Sequence, residues 1–372
     1  MALGAGTKRT VACVLVGLGT LLIVAAVLIP TYAVGQLAKT PLDLEITTIA
    51  TNNPNAPSEV LDAKSLTSGT GPAKIDQNVS LISQRFVTVE EPSDKTQMTV
   101  QAGQTLRRID KQGDTGLLTA TIDRVTIDRK TGMPVDTDPN GSIAATVNSK
   151  GESVADPVQH TGLQYRFPIG TEKKDYPYFD YNVRKTYDIK FIEETEIKDL
   201  KVYHFQQQIP ATDLAKVVNS PSNKLTLPAA KWGVEGEGDV TMDRFYTNVR
   251  DVWVEPQTGT VVKGAEQLHL YYARTAEKPE VTALKSNLVF DAKTIDSQIA
   301  EAKKYSDELS LYSRILPIVL GVLGAIVLIV GLVLGVRGGG ADKPGRVVRK
   351  RSPDGVGADD QPTQQIDMSK GL

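Results

Sequence analysis

Two uninterrupted apolar runs bracket a long stretch of alternating apolar and polar positions. The runs, Val11 to Val34 and Ile315 to Val336, carry no charged side chain, and each is long enough to cross a ~30 Å hydrocarbon core as a helix. Between them, Arg85–Glu90, Leu117–Asp128, Tyr187–Glu193, Leu200–Ile209, Val240–Val249 and Gln267–Ala273 alternate and are rich in Val, Ile, Thr, Tyr and Phe. That period of two predicts strands with one buried face. Two strand–turn–strand units stand out, Thr126–Val135 and Val252–Val262, each with an acidic residue and a short polar loop closing on Thr-Gly, where glycine takes the positive φ that the loop needs. An internal duplication or convergent turn chemistry accounts equally well for the pair. Helical spacing appears at Ala292–Tyr312, through Ile295, Ile299, Ala302 and Leu309, and a short helix is expected at Pro210–Val218. Pro317 predicts a joint where the longer helix feeds the second run, and Pro30 a cheap stop for the first. Residues 51–77, rich in Asn, Pro, Ser and Gly, read as irregular surface chain.

The pattern divides the chain into a short N-terminus (1–10), a first span (11–34), a mainly β (α+β) domain (35–314), a second span (315–336) and a tail (337–372). The domain is expected to be a barrel- or sandwich-like antiparallel sheet, ending in a juxtamembrane helix at about 292–314. The tail lacks an apolar period and is expected to be disordered, with a basic cluster suited to anionic headgroups.

Charge gives the expected orientation. Lys8 and Arg9 precede the first span; Arg337, Lys343, Arg346, Arg349, Lys350 and Arg351 follow the second. Basic flanks mark the cytoplasmic side, so both termini are expected inside and the β-rich domain outside. Nine of the 42 basic and five of the 44 acidic residues lie in the two tails, which leaves the domain with an excess of six acidic residues. That balance argues against a nucleic-acid partner, which needs a basic face. The first run is too long for a signal core and lacks a small-x-small cleavage site, so it is read as an uncleaved anchor. The lone cysteine, Cys13, lies within it and reads as a small hydrophobe; a domain of this size needs no disulfide staple. Gly331 and Gly335, four residues apart, match a close-packing pattern for paired membrane helices, although glycine is also common in unpaired ones.

Candidate chemistry is sparse. The histidines, His160, His204 and His269, have no zinc-like spacing, and the chain contains neither a Gly-x-Ser-x-Gly elbow nor a phosphate loop nor a Rossmann glycine pattern. No catalytic residue and no cofactor are expected. His160, Asp136 and Asp138 are the candidates that a hydrolase or transferase would draw on. Asp136, Asp138 and Asn140 match the start of a calcium loop, but the twelfth position is Val147 instead of a bidentate glutamate, and Asp-Pro-Asn-Gly also makes an ordinary turn. The segment Tyr165–Tyr181 crowds aromatic rings among prolines and charges. Tyr165, Phe167, Tyr176, Tyr178 and Phe179 either line a groove for an apolar or sugar ligand or pack their loop onto the sheet.

Three features together resemble the actinobacterial PorA-family membrane proteins, a family also catalogued as a domain of unknown function. They are the two spans with basic inner flanks, Phe167-Pro168 followed by Lys173-Lys174-x-Tyr176-Pro177-Tyr178-x-Asp180, and Val252-Trp253-Val254-Glu255-Pro256-x-Thr258-Gly259. The resemblance implies an envelope protein; some members are linked to lipoglycan assembly. It supplies no catalytic residues. The porin label sits poorly with two helical spans, since a membrane barrel crosses with strands. The layout is also similar to that of the scavenger-receptor class B proteins, which hold a β-rich lipid tunnel between two spans. The expected function is therefore non-enzymatic: binding or transfer of a lipid or lipoglycan beside the lipid bilayer. The alternative is a scaffold recruiting envelope-biosynthesis proteins.

Overall fold

The structure is a computed structural model and describes residues 5–53, 55–68, 71–147 and 153–338. Most of the predicted basic tail lies outside the described residues. The described residues form two compact units, one of residues 5–22 with 322–338 and one that runs from 23 to 321.

The first unit holds most of the two apolar helices, α1 (Ala5–Leu37) and α5 (Leu316–Gly338). Their outward side chains, such as Val14, Leu21, Ile326 and Val336, are exposed, as lipid-facing residues are in a protein without its bilayer. The helices pair antiparallel. A methyl group on Gly19 would lie 2.6 Å from the Leu328 amide nitrogen, one on Gly331 would lie 2.8 Å from that of Val16, and one on Gly335 would lie 3.6 Å from Ala12 Cβ. Missing side chains let the backbones touch. Gly331 and Gly335 thus sit in the seam, together with Gly19, which makes the tightest contact of the three. Pro30 lies inside α1 and does not end it. The helix runs on for another two turns, so one missing amide is not enough to stop an apolar helix.

The second unit is built on one antiparallel sheet. Its strands are β1 (Glu45–Asn52), β2 (Ser58–Leu61), β3 (Ile75–Val79), β4 (Leu81–Glu90), β5 (Gln97–Arg108), β6 (Leu117–Asp128), β7 (Gly141–Val147), β8 (Ser153–Val158), β9 (Tyr176–Asp180), β10 (Lys185–Ile197), β11 (Leu200–Asp213), β12 (Lys224–Pro228), β13 (Asp239–Glu255), β14 (Thr260–Ala273) and β15 (Val281–Phe290). Hydrogen-bonded neighbours follow the order β8-β7-β6-β5-β4-β1-β15-β14-β13-β11-β10-β9, with β2 and β3 added beside β15 and β12 beside β13. The first and last strands of that order share no ladder, so the sheet is not closed. Side chains join them instead. Ile143 on β7, Val158 on β8 and Phe179 on β9 form one buried cluster, and Arg184 reaches Asp156 on β8 at 2.7 Å. The barrel-like expectation holds as a rolled sheet with an unzipped seam.

Two stretches differ from the sequence reading. Residues 51–77 contain β2, β3 and a short helix, α2 (Ala63–Thr67), capped by the Asp62 side chain. Turn-forming residues there conceal strands because β2 is only four residues long and borrows its ladder from β15. Pro210–Asp213 belongs to β11, and only Leu214–Lys216 coils, as a single 3-10 turn capped by Asp213. Pairing of Thr212 with Tyr246 and Asp213 with Phe245 extends the strand past a proline at an irregular step, where a missing amide is tolerated. A second short helix, α3 (Ala229–Trp232), ends on left-handed Gly233.

The two Thr-Gly turns do the same work in the same way. Asp128 accepts from the amides of Lys130 and Thr131 and from the Thr131 hydroxyl; Glu255 accepts from the amides of Gln257 and Thr258 and from the Thr258 hydroxyl. The glycines that follow take φ of +71° and +72°. Both turns grip one segment that spans the seam, residues 159–175: the Ile169 amide donates to Lys130 and the amides of Phe167, Gly170 and Thr171 to Gly259, Gln257 and Pro256. Only the second turn continues into a full hairpin; after the first, the chain returns as a single bridge from Ile127 to Pro134.

The last element is α4 (Ala292–Ser310). Asp291 caps it through the Thr294 amide at 2.7 Å, and Thr294 Oγ1 accepts from the Ile49 amide at 3.0 Å, which pins the helix start to β1. Ile295, Ile299 and Ala302 pack on Val202, Val262 and Trp253, as their helical spacing predicts. A π-turn, Leu311–Ile315, then carries the helix into α5. Pro317 would clash with the carbonyl four residues earlier, that of Ser313; the wider turn accommodates it.

Candidate functional site

The rolled sheet, the seam segment and α4 line a partly open cavity of about 330 Å³. Strand periodicity decides its lining. Leu44, Ile46, Thr48 and Ala50 alternate along β1 and the residues leading into it, Ser83, Arg85 and Val87 along β4, Met98 and Val100 along β5, and all face the cavity, as one face of a pleated sheet must. Ile127, Val252, Val261, Leu288 and Phe290 complete an apolar wall. Gly264 lacks the side chain that would meet the Phe290 ring at 3.1 Å, so that ring can lie over β14. From α4, Gln298, Glu301, Tyr305, Glu308 and Leu309 cover the cavity. Burial and the neighbouring Glu301 carboxylate push the Tyr305 hydroxyl up to about 12.

Charged groups border this wall. Arg250, on β13, is the centre of a buried network. It donates to Asp180 at 2.8 Å, to Glu266 at 2.7 Å and to Gln207 at 2.7 Å. Asp180 is fully buried and also accepts from the amides of Asn182 and Val183. Burial works against the Arg250 charge, but Glu266 and Asp180 raise its pKa well above the ordinary value. Burial likewise pushes the Glu266 carboxyl up, and Arg250 and Arg85 more than reverse that, leaving it below the ordinary range. Such mutually satisfied groups hold strands together without leaving a bare charge.

A second buried network ties the seam segment to β6. Asp123 accepts from His160 Nε2 at 2.9 Å, from Gln164 Nε2 at 2.5 Å and from the Tyr165 hydroxyl. Burial first, and then the Asp123 charge, raise the Tyr165 pKa well above its ordinary value. Gln164 Oε1 and His160 Nδ1 are buried without hydrogen-bond partners.

The structure separates the five ring residues singled out from the sequence. Tyr165 and Tyr178 border the cavity. Phe167 and Tyr176 lie in a core cluster with Leu163, Ile189, Phe205 and Val254, which Tyr178 also joins; Phe179 lies in the seam cluster. Most of the aromatic segment is therefore packing. Asp136 and Asp138 are exposed, and the buried Asn140 carboxamide is committed to the backbone, donating to Val135 and His160 carbonyls and accepting from the His160 amide at 2.8 Å. Among the described residues no three His, Cys, Asp or Glu side chains gather as a metal site. His204 stacks on Trp253 and bonds Asp251 at 2.8 Å. The sequence signal for the apolar wall is the alternation of Leu44, Ile46, Thr48 and Ala50, which Thr47 and Ile49 blur by placing similar residues on the opposite face.

Two paired apolar helices and a rolled sheet around an apolar cavity define a membrane protein with two spans and one large sheet domain. The family model described as Porin PorA matches residues 11–333, so both spans and the whole sheet fall within it. Two relatives named "Porin PorA" are similar over nearly their whole length. One, from Corynebacterium amycolatum, is 31% identical over 87% of this chain and 98% of its own. The other, from Corynebacterium resistens, is 32% identical over 89% of this chain and 97% of its own. The chain belongs to the Porin PorA family and is a membrane protein of the cell envelope.

Proposed function

We propose that the sheet domain is a non-enzymatic lipid holder, which takes the hydrocarbon part of an envelope lipid or lipoglycan into the cavity and presents it beside the bilayer. The cavity carries this reading: its size falls in the range of small-molecule sites and its wall is mostly apolar. Its lining also includes Lys39 and Pro41, just after α1, and Glu308 and Leu309, just before the π-turn. The cavity is thus lined in part by the chain that follows the first apolar helix and precedes the second in sequence. In this reading both termini lie in the cytoplasm and the sheet domain outside.

The relatives' name points to a pore, and the strands favour a different role. Exposed positions on β10 carry Lys185, Lys190, Glu193 and Glu194, and a lysine facing lipid at the midplane of a barrel costs ~2–4 kcal/mol. The large exposed apolar side chains are concentrated on α1 and α5. Lipid extraction of the purified full chain, followed by mass spectrometry, tests the proposal. Stoichiometric lipid is expected from the wild type and much less from Ala50→Trp, which puts an indole ring into the cavity from β1. Lipid recovered equally from both, or from neither, would overturn it.

A further inference from the structure

Five cationic side chains line the cavity: Lys39, Arg85, Arg129, Arg166 and Arg250. Arg250 alone among them makes an ion pair among the described residues. Lys39 donates to the Lys95 carbonyl, Arg129 to the carbonyls of Thr40 and Asp94, and Arg85 to the Gln104 carboxamide. Arg85 still has Glu266 nearby as a favourable charge. Arg166 has no such compensation. Its guanidinium donates to the Thr258 carbonyl, and no carboxylate stands within 4.0 Å of it among the described residues. Glu301 and Glu308 line the same cavity but do not pair with it. Burial pulls its pKa down to about 10, with only the Tyr305 hydroxyl opposing that fall. It remains a cation at neutral pH, half-buried and without a counter-ion. An uncompensated charge of this kind is expensive to keep, and a ligand that brings the missing anion removes the expense. Next to Arg166 on the seam segment, the buried Gln164 Oε1 is a cavity-lining acceptor without a donor.

The apolar wall suits the other end of the ligand, and a cavity of about 330 Å³ leaves room for at least one alkyl chain.

We infer that the cavity binds an anionic amphiphile whose carboxylate or phosphate oxygens pair with Arg166 while an alkyl chain lies against the β1–β4–β5 wall. This rests on the lipid-holding reading and narrows it to one class of ligand.

The test is native mass spectrometry of the full chain released from a non-ionic detergent, titrated separately with laurate, dodecanol and acetate. These three probes supply chain with anion, chain alone and anion alone. The wild type is expected to bind laurate at least tenfold more tightly than dodecanol and acetate not at all. In Arg166→Gln the laurate preference falls to within twofold while dodecanol binding stays the same; Arg166→Lys retains most of the preference. Without ligand, Arg166→Met melts at the wild-type temperature or higher, because it removes an unpaired charge, whereas a merely structural arginine would lower the melting point. An unchanged laurate preference in Arg166→Gln overturns the assignment. Equal binding of laurate and dodecanol, blocked by Ala50→Trp, overturns the anion site and leaves the lipid-holding reading standing. Binding of neither chain removes both.

Discussion

Replacing Arg250 by methionine tests whether the buried network holds the rolled sheet together. The arginine joins β13 to three other places at once: Asp180 at the end of β9, Gln207 on β11 and Glu266 on β14. Methionine has similar bulk and no charge, so the change isolates electrostatics from packing. Removing one partner of a buried pair costs ~3–5 kcal/mol because the other charge is stranded. Asp180 is 0% exposed and cannot turn to water. It keeps its two backbone amides at 2.9 and 3.1 Å, which places the loss at the lower end. Gln207 Oε1 loses its charged donor, worth ~1–3 kcal/mol in a buried site, so a total of ~4 kcal/mol is expected. Against a domain stability of ~5–15 kcal/mol that is a large share. Urea unfolding of the full chain in non-ionic micelles reads it through tryptophan fluorescence, since both tryptophans, Trp232 and Trp253, lie in the sheet unit. Adding Asp180→Asn to Arg250→Met should recover a large part of the loss, because the stranded charge is then gone. A loss below ~1 kcal/mol, or a double variant no more stable than the single one, would refute the argument.

Further expectations follow from other contacts. In a Cys13→Ala background, the pair Ala12→Cys and Gly335→Cys should form a disulfide with mild oxidant, since the two Cβ positions lie 3.6 Å apart, near the disulfide mean of ~3.8 Å. Gly331→Leu should abolish it by forcing the helices apart, and crosslinking that persists would count against the seam. Gly259→Ala should destabilise the sheet unit by at least ~2 kcal/mol in the same urea assay, because its φ is +72° and the new methyl would lie 2.1 Å from the Phe167 carbonyl oxygen. Because the folded Glu266 carboxyl titrates below its ordinary 4.5, its contribution is full above that value and is lost as the pH falls through the lower folded value. Stability of the wild type should therefore drop more steeply below pH 4.5 than that of Glu266→Gln; parallel profiles would refute the assignment.

Much of the fold was legible because the long strands alternate cleanly, and the second Thr-Gly hairpin and α4 stand where their residues put them. What escaped was set by neighbours. β2 exists because β15 offers it an edge, and Pro210–Asp213 stays extended because β13 runs alongside. The buried network was half visible. Met242, Tyr246, Asn248, Arg250, Val252 and Val254 share one parity along β13, and all are buried, so register alone marks Arg250 as an inward charge. Arg166 left no such trace, because it lies in a non-repeating segment whose course is set by two distant turns. Of the aromatic cluster, composition announced the rings but could not divide those at the cavity from those in the core.

The pairing of β1 with β15 has a consequence for assembly. Ala50 lies opposite Phe290, so the strand nearest the amino end gains its second neighbour only after almost the entire domain has emerged from the ribosome. Until then β1 has β4 on one side and nothing on the other. The longest loop closed by a strand pairing is thus closed last within the sheet, and a chain stopped before Val281 would carry an unsatisfied strand edge open to aggregation.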